Sequence, residues 1–240
     1  MSSDDFAAQV TGVAALAEPV RRVLYQYVVA QPGAVSRDQA AAVGVPRHVV
    51  KFHLDKLAAD GLLEVEFRRP AGRGGPGAGR PAKLYRRSSW ELAVSLPERR
   101  YELAGHLMAQ AIVDAEHDGV PIATALSRAA KGTGRALGAQ ARRRAGSGAG
   151  QAALQAAARG VLEEHGYEPR ADPGGLTLAN CPFHALAQDH TDLVCGMNLD
   201  LVDGLLAGLG PANLEARLDP APGRCCVTVR RRPPTRKESL

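Results

Sequence analysis

Apolar residues at Leu16, Val20, Val23, Leu24, Tyr27 and Val28 recur at helical spacing and predict a helix over 16–30. Pro19 falls in its first turn, where a missing N–H costs nothing, and Gln31-Pro32-Gly33 ends it. Ser36-Arg37-Asp38-Gln39 has the form of a capping box, and the short helix it opens closes at Gly44. A third helix is expected from near Pro46 to Asp60-Gly61, its inner face formed by Val50, Leu54 and Leu57. Residues 62–67 and 83–87 then read as strands on either side of a Gly-rich stretch, 71–79, which cannot hold regular structure. Helix, helix, tight turn, helix and hairpin, in that order, make a winged helix-turn-helix.

Beyond Pro97 the pattern changes. Leu103, Leu107, Met108, Ala111 and Ile112 share one side of a predicted helix, the expected dimer seam unless that stripe serves as internal core. An Ala-rich helix interrupted by Gly132, Gly134 and Gly138 spans 121–144, and another over 154–165 closes at Gly166. Short alternating runs at 175–179, 214–218 and 225–229 predict strands, with an apolar helix over 199–209 among them. The expected fold is a helix-rich α+β chain. Its parts are an N-terminal winged helix-turn-helix over 1–95, a central helical dimerisation region over 96–147, a small α+β cysteine domain over 148–232 and a basic tail over 233–240.

Charge adds a partner to this picture. The 240 residues carry a formal net charge of +5. From Arg47 to Arg87 ten Lys or Arg face four Asp or Glu, a local excess of 10 − 4 = +6. On the third helix, Arg47, His48, Lys51 and Phe52 are the candidates for a major groove, cations for guanine edges or phosphates and the ring for a thymine methyl. Arg68, Arg69, Arg73 and Arg80 flank the Gly-rich tip and suit a minor groove or phosphate path. Double-stranded DNA is thus the expected partner. One winged helix reads few base pairs, so a homodimer on a palindromic operator is expected as well.

The residues 45–57, Val-Pro-Arg-His-Val-Val-Lys-Phe-His-Leu-Asp-Lys-Leu, followed by Gly61-Leu62-Leu63, resemble the recognition helix and first wing strand of ArsR-type regulators. Gly79-Arg80-Pro81-Ala82-Lys83-Leu84-Tyr85 is similar to the second wing strand of that superfamily. His53, typical there, is expected to pack or touch phosphate.

No window is apolar enough to span a membrane and the acidic N-terminus lacks a signal-peptide pattern, so a cytoplasmic location with reduced thiols is expected. All four cysteines fall in the last quarter of the chain. Asn180-Cys181-Pro182-Phe183, Leu193-Val194-Cys195 and Gly223-Arg224-Cys225-Cys226, with Gly166-Tyr167-Glu168-Pro169 upstream, resemble the sensor domain of the SufR family of iron–sulfur-dependent repressors. That resemblance implies a [4Fe–4S] cluster held by Cys181, Cys195 and one of Cys225 and Cys226. The fourth ligand stays open, with His184, His190 and the spare thiol as candidates. Members often carry a further cysteine between the second and last ligands, and this chain has none. Strand parity groups Cys225 with Val227 and Val229, so Cys225 is the expected inward ligand and Cys226 the outward one. Cys181 sits before Pro182 at an expected helix start, where the positive helix end favours a thiolate. Zinc is the alternative occupant.

No Ser-His-Asp set or paired carboxylate suggests catalysis, and Gly132-Thr133-Gly134 lacks the strand a nucleotide fingerprint needs. The expectation is a non-enzymatic, sequence-specific regulator, a repressor, that senses iron–sulfur or redox status. The alternative is a winged-helix regulator answering a small ligand or zinc, its cysteines structural.

Overall fold

The computed structural model describes residues 3–69 and 81–232, and its contacts divide the chain into two compact units between Val94 and Ser95. The architecture is helix-rich α+β.

In the first unit, α1 (Ser3–Ala15) and α2 (Pro19–Ala30) precede a two-residue strand, β1 (Val35–Ser36). Helix α2 starts three residues later than its apolar pattern because the Glu18 carboxylate caps it, accepting from the Val20 and Arg21 amides at 3.1 and 2.7 Å. The capping box forms as expected. Ser36 Oγ accepts from the Gln39 amide and Gln39 Oε1 from the Ser36 amide, opening α3 (Arg37–Ala40), which a 3₁₀ turn (Ala41–Val43) ends at the left-handed Gly44. Next comes α4 (Arg47–Ala59), with Val50, Leu54 and Leu57 fully buried. Its exit is a Schellman turn: the Leu62 amide reaches Leu57 O and the Gly61 amide reaches Ala58 O, with Gly61 at φ 79°. Strands β2 (Leu63–Arg68) and β3 (Ala82–Arg87) form the antiparallel wing, and β1 joins its far side to give the order β1-β3-β2. The buried Tyr85 packs among Leu24, Val28, Val50 and Leu54 in the core of this unit.

The second unit places three long helices, α5 (Tyr101–Asp118), α6 (Ile122–Ala145) and α7 (Gln151–Glu164), before the hairpin β4 (Pro169–Asp172) and β5 (Gly175–Leu178). Then follow α8 (His184–Asp189), α9 (Thr191–Leu209), β6 (Leu214–Leu218) and β7 (Val227–Arg231), with antiparallel strand order β4-β5-β7-β6. Helix α9 is buried on most sides. Met197 and Leu201 face α5 and α6, while Val202, Leu206 and Leu209 join the sheet and α7.

The expected separation of 96–147 from 148–232 does not appear, because α6 and α9 touch backbone to backbone. A Cβ placed on Gly134 or Gly138 of α6 would lie 2.7 or 2.8 Å from Leu205 N or Leu209 N, and on Gly208 of α9 it would lie 2.9 Å from Ala139 N. Gly134 and Gly138, two of the glycines that interrupt the Ala-rich helix, therefore weld it to the cysteine-bearing part. The expected dimer stripe also divides. Leu107 and Ala111 are buried and Leu103 and Met108 pack inward, whereas Ile112 is 55% exposed, beside Val113, outside the stripe, at 61%.

Candidate functional site

Helix α4 presents Arg47, His48, Lys51 and Phe52 on its exposed side, Phe52 with 67% of its surface in solvent. They line an open groove of about 740 Å³ with Arg37, which the sequence reading missed although it opens α3 beside the capping serine. A second groove of about 590 Å³ runs from Arg37 and Lys51 to Phe67 and Lys83 on the wing strands. The cations are held by acids. Arg47 Nε lies 3.1 Å from Asp38 Oδ1, Arg68 pairs with Glu66 at 2.6 Å, and Lys83 Nζ reaches Asp55 Oδ1 at 2.5 Å. The exposed pairs among these contribute little to stability. Burial alone pushes the Asp55 carboxyl up, but hydrogen bonds from Lys83 and Tyr85 outweigh it and leave Asp55 below its ordinary value. His53 packs inward, its Nδ1 3.5 Å from Glu18. Arg69 is exposed next to β2, while Arg73 and Arg80 lie outside the described residues.

Bihelical core, exposed basic helix and wing make one constellation. Residues 16–66 match a family model described as a helix-turn-helix domain. This part of the chain is a helix-turn-helix domain. The match spans α2 through most of β2 and belongs to a family that includes ArsR-type regulators. No curated protein and no solved structure matches the chain. A helix-turn-helix domain makes the chain a sequence-specific DNA-binding regulator. Among the described residues no helix is long and apolar enough to cross a membrane.

In the second unit the four cysteines come together from three chain segments. Cys181 lies near Cys225, Cys225 near Cys226, and Cys226 near Cys195 on α9, close enough for the thiols to shift one another's titration. Cys225 is buried, as parity predicts, yet Cys226 also packs on the core. Parity misleads here because β7 begins only at Val227, and the bend after Gly223 lets both thiols turn toward the site. His184 and His190 are exposed at the two ends of α8. Helix α8 begins at His184, too late and too short to charge Cys181. The nearby Cys225 thiol and burial push the Cys181 thiol well up, against the opposite pull of the Phe183 amide and Arg99. For Cys225 the nearby Cys181 thiol pulls down, but Cys226 and burial prevail and raise it to about 11.

Two buried polar residues complete the pocket. Asn198 on α9 donates from Nδ2 to Cys225 Sγ at 3.2 Å, and the Tyr167 hydroxyl donates to Asn198 Oδ1 at 2.5 Å. Burial, then the nearby sulfurs, hold the Tyr167 phenol far above its ordinary pKa, so it remains a donor. The Val227 amide also points at Cys225 Sγ, at 3.5 Å. Four soft donors, two of them buried and one, Cys225, receiving two N–H groups, fit a thiolate-bound group in chemistry. Among the described residues, however, no group of three or more His, Cys, Asp or Glu side chains is arranged to hold a metal ion. The four thiols are free.

Proposed function

We propose that the chain is a homodimeric repressor whose DNA affinity is set by an iron–sulfur group, with Cys181, Cys195 and Cys225 as ligands and Cys226 as the fourth. The proximity of the four thiols, with Asn198 donating to Cys225, is the observation that carries this reading. Such a group supplies redox and oxygen sensitivity when bound. The residues around it have separate tasks. Asn198 and the Val227 amide stabilise charge on Cys225, and Tyr167 fixes the orientation of the Asn198 amide so that its NH₂ faces sulfur. Ligation requires that the raised thiols lose their protons, so loading is coupled to proton release. The partner copy has a seat on α5, where Ile112 and Val113 are presented to solvent. Two recognition helices related by a two-fold axis then read the halves of a palindromic operator.

Iron, sulfide and zinc content with visible absorbance, measured on protein purified without oxygen, tests the reading. Matched iron and sulfide with broad absorbance near ~400 nm is expected of thiolate-bound clusters. The same preparation should shift a duplex selected from random sequence, and lose or gain affinity when the cluster is removed. Stoichiometric zinc in a colourless protein would replace the sensor with a structural site. Absence of any metal after anaerobic iron and sulfide reconstitution would end the cluster reading and leave the DNA-binding assignment standing.

A further inference from the structure

The segment just before α5 is bound to the loop that carries the first cysteine. Glu98 follows Val94, the last residue of the first unit, by 98 − 94 = 4 positions, so this segment is the chain's covalent link to the DNA-binding part. Its bonds are dense. The Arg100 amide donates to Pro182 O at 3.0 Å, and Asn180 Nδ2 donates to Glu98 O at 3.0 Å and to Gly166 O at 2.6 Å. Arg99 Nη1 donates to Asn180 Oδ1 at 2.5 Å and to the Cys181 carbonyl at 3.2 Å. Arg100 Nη2 holds the end of α7 through Glu164 O at 2.6 Å. Asn180 is only 7% exposed, so its bonds cannot be replaced by water without opening the core.

We infer that Arg99 and Asn180 are positioning residues that convert a change at Cys181 into a change in the connector. The inference rests on the proposed sensing role of the cysteines and adds the path by which that role reaches the DNA-binding unit. Three consecutive residues, Asn180 to Pro182, contribute either a side chain or a carbonyl to the connector. A change in the Cys181 main chain, whether by ligation or by disulfide formation, cannot leave these bonds intact. Forming a disulfide with Cys225 removes two protons and two electrons, which an added azo oxidant such as diamide accepts. A connector held by such bonds to the cysteine loop is the kind of element through which a local event biases a distant equilibrium.

The test uses the full chain, wild type and Arg99→Ala, with Arg99→Lys as the conservative variant. Hydrogen exchange of the peptide covering 95–104 is followed with thiols reduced, after diamide, and after anaerobic iron and sulfide loading. In the wild type the amide of Arg100 should change its exchange rate by about tenfold between states, the scale of one lost backbone hydrogen bond. In Arg99→Ala it should be fast in every state, with thiol and iron content at wild-type levels, while Arg99→Lys keeps part of the response. Affinity for a selected duplex is then compared between states. The wild-type ratio should fall within the range of about 5–150-fold usual for coupled sites, and Arg99→Ala should bring it to near one. Exchange that ignores thiol chemistry, or an Arg99→Ala protein that keeps the wild-type ratio, overturns the inference. Exchange that responds while wild-type DNA affinity stays constant upholds the strap and refutes the sensing role instead.

Discussion

Alanine at Gly138 tests the helix contact on which the second unit is built. The substitution removes a helix-interior glycine, which by itself would stabilise by about 1 kcal/mol. Against that, its Cβ would stand 2.8 Å from Leu209 N and nearer still to Leu205 O, both backbone atoms that cannot rotate away. The helices must separate, and a gap of even ~0.5–1 Å forfeits a quarter to a half of each facing contact. Overpacking usually costs about 1–3 kcal/mol and more where backbone is met, so a net loss of about 2–4 kcal/mol is expected. At ~2–4 °C per kcal/mol for a chain of this size, the transition should fall by roughly 5–15 °C. Gly132, in the same helix, has nothing within 4 Å of its would-be Cβ, and Gly132→Ala should instead raise the transition by about 2–3 °C. Far-ultraviolet circular dichroism follows α6 and α9. Fluorescence of Trp90, the single tryptophan, reports the first unit and should not move. Because α9 carries Cys195 and Asn198, Gly138→Ala should also disturb the thiol pocket. A Gly138→Ala protein as stable as the wild type, or shifted in the same direction as Gly132→Ala, would refute the welded-helix account.

The wing carries a pH dependence of known sign. Asp55 has a lowered pKa in the folded state, so its contribution is present above the ordinary aspartate value of 3.8 and is lost as pH falls through the folded value. Its exposure limits the effect to less than about 1 kcal/mol. Acid unfolding of the first unit, followed by Trp90 fluorescence, should be shallower over that window in Asp55→Asn, and an unchanged profile would remove Asp55 from the account. On the DNA side, Arg47→Ala or Lys51→Ala should cost about 1–3 kcal/mol where the residue makes a bidentate base contact. Titration of a selected duplex measures it, and an equal loss on random sequence would reassign the residue to phosphate.

The winged unit was legible because its signals are local. Ser36 and Gln39 cap within one turn, Gly44 and Gly61 end their helices by backbone conformation, and Val50, Leu54 and Leu57 sit at helical spacing. Strand β1 was not, since its two residues are a strand only by pairing with Tyr85 and Leu84. Nor was α1, which buries little more than Gly12 and Ala15 and so shows no apolar stripe. The second unit hid its organisation at long range. Gly134 and Gly204 are 204 − 134 = 70 positions apart, and neither announces the other. The cysteines were found by resemblance, but Asn198, Tyr167, Arg99 and Asn180 gain meaning only as pairs closed by folding. Cys226 was misplaced because an alternation rule was applied two residues before the strand that obeys it.

The electrostatics of the pocket bear on which chemistry it serves. Thiols that react directly with oxidants sit where their pKa is lowered, because the thiolate is the nucleophile. Here the opposite holds. Cys225 and burial raise Cys181, Cys226 and burial raise Cys225 against the pull of Cys181, and burial raises Cys195, so near pH 7 these groups are neutral and slow to attack. A low-dielectric pocket that disfavours isolated thiolates still accepts them when a positive centre enters with them, since that charge is screened little by solvent. The amide donors on Cys225 from Asn198 and Val227 then stabilise the charge that remains on sulfur. The same burial that silences the free thiols thus favours a cationic occupant over direct thiol oxidation. Were such an occupant bound, its loading would rise with pH as protons are withdrawn. On the proposed reading, Cys181, and with it the connector at Arg99, answers an entering cationic group more readily than a mild oxidant.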